Sequence, residues 1–346
     1  STGVTTFSGA NTYSGTTTIN AGRVTSANAI APVSTGTLAV RNTLALGTGT
    51  ITLKGGILDL AATSGSGYAV GEVIDNINVV QFGPGSGYNI TVDAYNSFGN
   101  GSTYANTTSA LVSGAASVGW NLINNVTLDA SALTFSSNTN IGIMVNGTLS
   151  VAQDAVLNTL FATANNANSV VIAGKISANG KTLTKTGGGT LFITNGDTGS
   201  GANDVGAWRL MAGTTEVRLS NNASDPFGAG APVTINGSTL NIRHDGDNTA
   251  NMQVLTTFAN NDLTIGSTAG IGSGSYIGSG ATILSLDRLA PTATTKTIKF
   301  GDLNFGGPLG SMLFTINNAN GYSAEFDALT LVKDANFTPN PNTTIL

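Results

Sequence analysis

One short segment holds the side chains best suited to acid–base or metal chemistry: it reads Arg243-His244-Asp245-Gly246-Asp247-Asn248. His244 is the only histidine among the 346 residues, so a metal site with several histidine ligands is excluded. A lone imidazole can act as a general base. However, the segment directly follows a short alternating run, and we expect His244 to lie in a polar loop rather than in a catalytic site.

The same segment also resembles the beginning of a calcium-binding loop. Asp245, Asp247 and Thr249 alternate, as calcium ligands do, but a calcium loop needs Gly at its sixth position and Glu at its twelfth. The corresponding residues are Ala250 and Thr256, so the pattern fails. The sequence predicts no metal site, and the alternative is an improvised Ca²⁺ site at Asp245 and Asp247.

Carboxylate pairs, which a glycoside hydrolase needs, are not visible along the chain. Only three glutamates occur, Glu72, Glu216 and Glu325, and they lie far apart. The glycine-rich segments lack the Lys-Ser/Thr of a phosphate-binding loop. We therefore predict a protein without catalytic residues or cofactor. A polysaccharide-acting enzyme stays an alternative, since carboxylates from separate strands can meet in space.

Composition restricts the partners. The net charge is −5 with only 13 Lys and Arg in all, and no basic cluster is present, which argues against nucleic acid and anionic membranes. No segment approaches the roughly 20 apolar residues of a membrane span. Cysteine is absent, so disulfides are excluded. The chain opens at Ser1 without Met or signal peptide, as expected of a mature chain or a trimmed one.

Short strands dominate the pattern. Runs of three to five residues, rich in Thr, Val, Ile and Leu, alternate in polarity and are bounded by Gly, Asn or Ser, as in Gly36–Val40, Gly49–Leu53 and Thr239–Ile242. Alternation sends one set of side chains inward and the threonines outward. Helix formers are scarce, and the best candidate for one or two helical turns is Val151–Ala164.

Two segments repeat this order of turn, strand and glycine-rich loop. The first reads SGANTYSGTTTINAGRV at residues 8–24, and the second reads LTKTGGGTLFITNGDTGSGANDVGAWRLMAGTTEV at residues 183–217. The first resembles the autotransporter-associated β-strand repeat of bacterial surface proteins. The second is similar to a degenerate copy, in which Asp197–Gly201 replaces the Asn-Thr-Tyr-Ser-Gly box. The resemblance implies a secreted protein of the extracellular space or bacterial cell surface, built as a parallel β-helix.

An autotransporter also has a membrane barrel of many ~10-residue strands, and no such block ends this sequence. The chain is either an excised passenger or a free secreted protein that shares the repeat, and we favour the second. The predicted fold is all-β, a right-handed parallel β-helix with roughly one coil per 20–25 residues. We divide it into N-terminal coils at 1–60, a glycine- and aromatic-rich excursion or hairpin at 61–120, and a main β-helix at 121–346 with the degenerate repeat at 183–242.

The predicted functions follow from the ends and side of this β-helix. Open coil ends recruit further strands unless capped, which predicts self-association into a homo-oligomer or filament. The interaction surface candidates are Tyr88, Tyr95, Phe98 and Tyr104 in the excursion, and Ile345 and Leu346 at the C-terminus. We predict a non-catalytic structural subunit of a surface fibre, sheath or coat. The alternative is an adhesin-type passenger that binds glycans or surfaces.

Overall fold

The structure, a computed structural model, describes the chain in separate stretches. They are residues 4–9, 11–13, 17–20, 37–40, 51–54, 57–60, 70–74, 77–82, 90–93, 109–113, 119–122, 126–129, 132–137, 143–145, 147–160, 169–195, 203–219, 225–246, 252–266, 281–289, 293, 295–306, 312–331 and 335–339. The chain forms two compact units, Ser1–Val171 and Ile172–Leu346. The predicted segment boundaries at residues 60 and 120 stay a prediction.

The described residues are all-β, with short strands rich in β-branched side chains and no helix. Fifteen strands lie wholly in the first unit: β1 (Val4–Phe7), β2 (Thr17–Asn20), β3 (Thr37–Val40), β4 (Ile51–Lys54), β5 (Ile57–Leu60), β6 (Val70–Ile74), β7 (Ile77–Phe82), β8 (Ile90–Asp93), β9 (Ser109–Ser113), β10 (Gly119–Leu122), β11 (Val126–Asp129), β12 (Ala132–Ser137), β13 (Ile143–Val145), β14 (Leu149–Val151) and β15 (Ala155–Leu160). Strand β16 (Ser169–Ile172) includes the boundary between the units.

The second unit continues the same pattern. Its strands are β17 (Ile176–Ser177), β18 (Thr182–Thr186), β19 (Thr190–Ile193), β20 (Ala207–Leu210), β21 (Thr214–Leu219), β22 (Val233–Ile235), β23 (Thr239–His244), β24 (Gln253–Phe258), β25 (Leu263–Ile265), β26 (Thr282–Asp287), β27 (Lys296–Phe300), β28 (Leu303–Phe305), β29 (Met312–Asn318), β30 (Ser323–Glu325), β31 (Leu329–Leu331) and β32 (Ala335–Pro339).

Strand pairing is parallel in both units. The first unit holds the orders β1-β3-β5-β9-β12-β15, β2-β4-β8-β11-β14 and β6-β7-β10-β13. The second holds β18-β20-β22-β25-β28-β31, β19-β21-β23-β26-β29-β32 and β24-β27-β30. Among the described pairings, β6 with β7 is the antiparallel exception. Because partners are not consecutive, the chain leaves each sheet and returns to add the next parallel strand, as parallel pairing requires.

Register explains where the core of the second unit lies. Leu183, Trp208, Val233, Leu263, Leu303 and Leu329 are successive partners, separated by 25, 25, 30, 40 and 26 residues. The first five are buried. Alternation buries every second residue of each strand, so identical positions stack into continuous apolar columns. The longer steps exceed the predicted 20–25 residues per circuit.

Aromatic rings form a further column in the second unit. Successive ring centroids of Trp208, Phe227, Phe258, Phe300 and Phe326 lie 6.0, 5.6, 5.6 and 5.6 Å apart. The indole Nε1 of Trp208 donates to the carbonyl of Phe227 at 3.1 Å, which satisfies its buried polar group. Through these ring contacts, residues in the turns between strands pack against the apolar interior.

The expectation of helical turns at Val151–Ala164 was wrong for the residues described there. Leu149–Val151 is β14 and Ala155–Leu160 is β15, and β15 pairs in parallel with β12. Its burial alternates from Ala155 to Leu160, so the apolar residues have the period of a strand. No helix of the described residues is long and apolar enough to cross a membrane.

Candidate functional site

Strand β31 (Leu329–Leu331) is the last strand of its sheet in the described part of the chain. It pairs in parallel with β28 on one side, through Leu329 with Leu303 and Leu331 with Phe305. An edge strand presents backbone N–H and C=O groups toward any strand that approaches it. The edge of β31 is therefore a place where a further parallel strand can be added.

The side chains of β31 make this edge unusual. Leu329 and Leu331 are 52% and 53% exposed, whereas their partners Leu303 and Phe305 are 4% and 0% exposed. By register, each leucine continues the inward-facing apolar column to which its buried partner belongs. Each of these two columns therefore ends in exposed apolar surface. Burying a leucine contributes about 2 kcal/mol, which favours a strand that covers this edge.

The first unit has an edge of its own. Strand β1 is first in its sheet order and pairs in parallel with β3 through Val4–Phe7. Its side chains are exposed at Val4, Thr5 and Thr6 and half-buried at Phe7. Parallel alignment leaves Thr5, the partner of buried Leu38, uncovered. This edge is more polar than β31.

His244 lies in a buried polar cluster of the second unit. It is the last residue of β23, and alternation from Leu240 and Ile242 places its side chain inward, fully buried. The Gly246 amide donates to Nδ1 at 3.1 Å, so Nε2 carries the proton and donates to Thr257 Oγ1 at 3.0 Å. The Tyr322 hydroxyl donates to the His244 carbonyl at 2.7 Å. The expectation of a polar loop was therefore wrong.

Electrostatics keep this imidazole neutral. Burial, followed by the charge of Lys296, lowers the pKa of His244 to about 4. Lys296 is itself fully buried and donates from Nζ to Gln253 Oε1 at 3.2 Å. A general base must reach a substrate proton. Because both ring nitrogens of His244 have partners inside the protein, this arrangement is better suited to structure than to proton transfer.

Asp245 is buried beside His244. Its Oδ1 accepts the Leu289 amide at 2.7 Å, which ties the turn after β23 to the end of β26. No group of three or more His, Cys, Asp or Glu within the described residues could hold a metal ion. Asp247, the other residue considered for Ca²⁺, lies outside the described residues. Asp245 therefore serves as a hydrogen-bond acceptor inside the protein.

A second charged cluster lies on the outward side of β21. Glu216 is buried, and its Oε1 lies 2.7 Å from Arg218 Nε and 3.1 Å from Arg243 Nε. Asn241 Nδ2 donates to Oε2 at 3.2 Å. The Arg218 guanidinium also stacks on Phe192, 4.2 Å from the ring centroid. Three side chains donate to the oxygens of this carboxylate, so the cluster joins neighbouring strands.

Lys185 forms another buried polar cluster in the second unit. Its Nζ donates to the carbonyl oxygens of Gly187, Gly189 and Ala212 at 2.8, 2.6 and 2.8 Å. Burial lowers its pKa to about 7. Three carbonyl acceptors match the three protons of an ammonium group and offset only part of its desolvation. Gly213, with φ of 66°, packs against Nζ, and a Cβ there would lie 2.6 Å from it.

Comparison with family models, curated proteins and solved structures finds no match. The geometry above therefore carries the functional argument.

The predicted interaction residues lie outside the described residues. They are Tyr88, Tyr95, Phe98 and Tyr104 of the excursion, and Ile345 and Leu346 at the C-terminus. Their role stays a prediction.

The sequence reasoning missed the exposed edge at Leu329 and Leu331 and the inward position of Lys185. A signal for Lys185 existed, because Leu183 and Lys185 share one face of a strand whose threonine, Thr184, faces out.

Proposed function

We propose that this chain is a non-catalytic structural protein of the extracellular space or bacterial cell surface. In this proposal it folds as a right-handed parallel β-helix and forms a fibre, sheath or coat by self-association through its coil ends. The resemblance of residues 8–24 to the autotransporter-associated repeat supports the location. The parallel circuits within each unit support the architecture.

The observation that carries the proposal is the apolar edge at β31. Leu329 and Leu331 continue two buried columns and are about half exposed, on a strand with a described partner on one side only. A strand from another molecule would complete the backbone hydrogen bonds and bury both leucines. Head-to-tail addition of this kind produces a filament when it does not close into a ring.

The buried polar groups support a structural role for the second unit. His244, Lys185 and Glu216 are buried, and each is hydrogen-bonded or ion-paired within the protein. A buried polar group without partners costs about 1–3 kcal/mol, and satisfied ones specify one arrangement of strands. In this proposal these residues hold the circuits in register.

Assembly state tests the proposal. We expect the purified chain to form larger species as concentration rises in sedimentation velocity, and elongated particles in negative-stain electron microscopy. A chain that stays monomeric at the highest soluble concentration and shows no filaments contradicts the proposal. Monomer that binds defined glycans on an array would instead support the adhesin.

A further inference from the structure

We infer that the turn after β23 is an acid-sensitive latch, in which protonation of His244 releases contacts that join four segments of the second unit. The turn consists of His244, Asp245 and Gly246. It is connected to β24 through Thr257, to the segment after β26 through Leu289, and to the segment before β30 through Tyr322. One short turn thus holds residues from several circuits together.

The hydrogen bonds of the turn require a neutral imidazole. The Gly246 amide points at Nδ1, which accepts at 3.1 Å, and Nε2 donates to Thr257 Oγ1. Protonation would place an N–H on Nδ1 against the N–H of Gly246. Two donors cannot share this contact, so the amide or the ring must move.

The backbone of the turn packs closely against side chains of β24. Gly246 has φ of 63°, and a Cβ at this position would collide with the side-chain ends of Gln253 and Leu255. The His244 ring also lies edge-on to Phe258, with centroids 6.4 Å apart at 90°. Movement of the turn therefore disturbs the contacts with β24.

The charges around the ring oppose a second positive charge. Lys296 on β27 is the nearby cation, and its charge disfavours protonated His244. Leu219 of β21 is the register partner of His244 and brings no charge. On the ring's own strand, Arg243 pairs with Glu216, and Asp245 accepts the Leu289 amide. Around Tyr322, Asp287 and Arg288 carry opposite charges.

The direction of the pH effect follows from these contacts. Burial and Lys296 lower the pKa of His244 to about 4, below the ordinary value of 6.5. The open turn therefore binds more protons than the closed turn as pH falls from 6.5 to 4. Across this window the equilibrium constant for opening rises about tenfold per pH unit. Above pH 6.5 His244 is neutral in both states, so the equilibrium constant for opening is at its lowest and no longer depends on this group.

Hydrogen–deuterium exchange of the full chain tests the latch. Deuterium uptake at residues 239–246, corrected for the intrinsic rate, is expected to rise about tenfold per pH unit as the pH falls from 6 to 4. The turn at Lys185 is expected not to follow this rise. His244→Asn keeps an acceptor near the Nδ1 position but cannot be charged, so its uptake is expected to stay flat.

A second variant separates the effect of His244 from that of Asp225, whose pKa also lies in this window. Burial raises the pKa of Asp225 to about 6, so Asp225→Asn removes that titration while leaving His244 intact. This variant is expected to keep the acid-induced rise at residues 239–246. Loss of the rise in Asp225→Asn, or an equal rise in His244→Asn, would overturn the inference.

If a variant does not fold, titration of His244 in the wild-type protein tests the latch instead. Because His244 is the only histidine, exchange of its Cε1 hydrogen, followed by mass spectrometry, reports one group. We expect this rate to remain that of a neutral ring down to pH 5. A midpoint near 6.5, with residues 239–246 still protected, would contradict the latch.

Discussion

The Nζ atom of Lys185 lies 2.8 Å from the carbonyl oxygen of Ala212, which precedes the next strand of the neighbouring sheet. Lys185 occupies an inward position, and its register partner on β20 is the buried Leu210. An ammonium group thus stands where the next circuit has a leucine. It joins the turn of Gly187 and Gly189 to the turn before β21.

Replacing this lysine by a side chain of similar length tests the role of its hydrogen bonds. Lys185→Met leaves three carbonyl oxygens without their donor. We expect a net loss of about 2 kcal/mol in the free energy of unfolding at pH 10, where the buried amine is neutral and no ammonium desolvation opposes its hydrogen bonds, measured by chemical denaturation. Equal or greater stability of the variant at this pH would show that these hydrogen bonds do not stabilise the fold.

Lys185 also predicts how stability changes at alkaline pH. Burial lowers its pKa to about 7, while the unfolded chain keeps the ordinary value of 10.5. Between these values the unfolded chain binds more protons, so the free energy of unfolding rises with pH and its gain is complete above 10.5. Lys185→Met should lack this rise. Equal slopes in denaturation midpoints of the two proteins from pH 7 to 10 contradict the assignment.

Glu216 is expected to be more important for stability than the exposed ion pairs. Glu216→Gln leaves Arg218, which is buried, without its opposite charge and should cost about 3 kcal/mol. The matched control is Lys299→Ala, which removes the partner of Glu325 and Asp327 near solvent. Its denaturation midpoint should stay close to that of the wild type. Similar midpoints for both variants would refute the ranking.

The aromatic column gives a prediction about the core. Phe258 is fully buried between Phe227 and Phe300, so Phe258→Ala opens a cavity and should cost about 3–4 kcal/mol. Met252, which is 86% exposed, supplies the control, because Met252→Ala removes no buried contact. Urea denaturation of both variants measures the difference. A Phe258→Ala midpoint equal to that of Met252→Ala is incompatible with the column.

Local alternation predicted the strand content well, because its signal lies within a few residues. The run at Gly36–Val40 contains β3 (Thr37–Val40), and the run at Thr239–Ile242 is a strand that extends two residues further to His244. The same alternation, continued from Leu240 and Ile242, places His244 inward. The sequence pattern alone ends this strand at Ile242, because charged and polar residues follow it, although burial with internal partners can accommodate them.

Contacts between distant residues were not predictable in the same way. Nothing near His244 in sequence identifies Thr257, Leu289 and Tyr322 as its neighbours, because loops of different lengths separate the circuits. The register steps of 30 and 40 residues after Val233 and Leu263 show how such loops break a regular period. The exposed edge at Leu329 likewise depends on which strand ends the sheet, a property of the whole topology.

Assembly through β31 is the central claim, and two matched leucines test it. Leu329 on the edge strand and Leu160 at the end of β15 are 52% and 53% exposed, so Leu329→Asp and Leu160→Asp make the same chemical change at equal exposure. Circular dichroism first confirms that both variants retain the strand signal of the wild type.

Sedimentation velocity over a concentration series then gives the decisive comparison. We predict that the wild type and Leu160→Asp form larger species as concentration rises, while Leu329→Asp stays monomeric, because a buried aspartate would oppose strand addition. Assembly of Leu329→Asp to the same extent as Leu160→Asp, or a wild type that is monomeric throughout, would contradict the account.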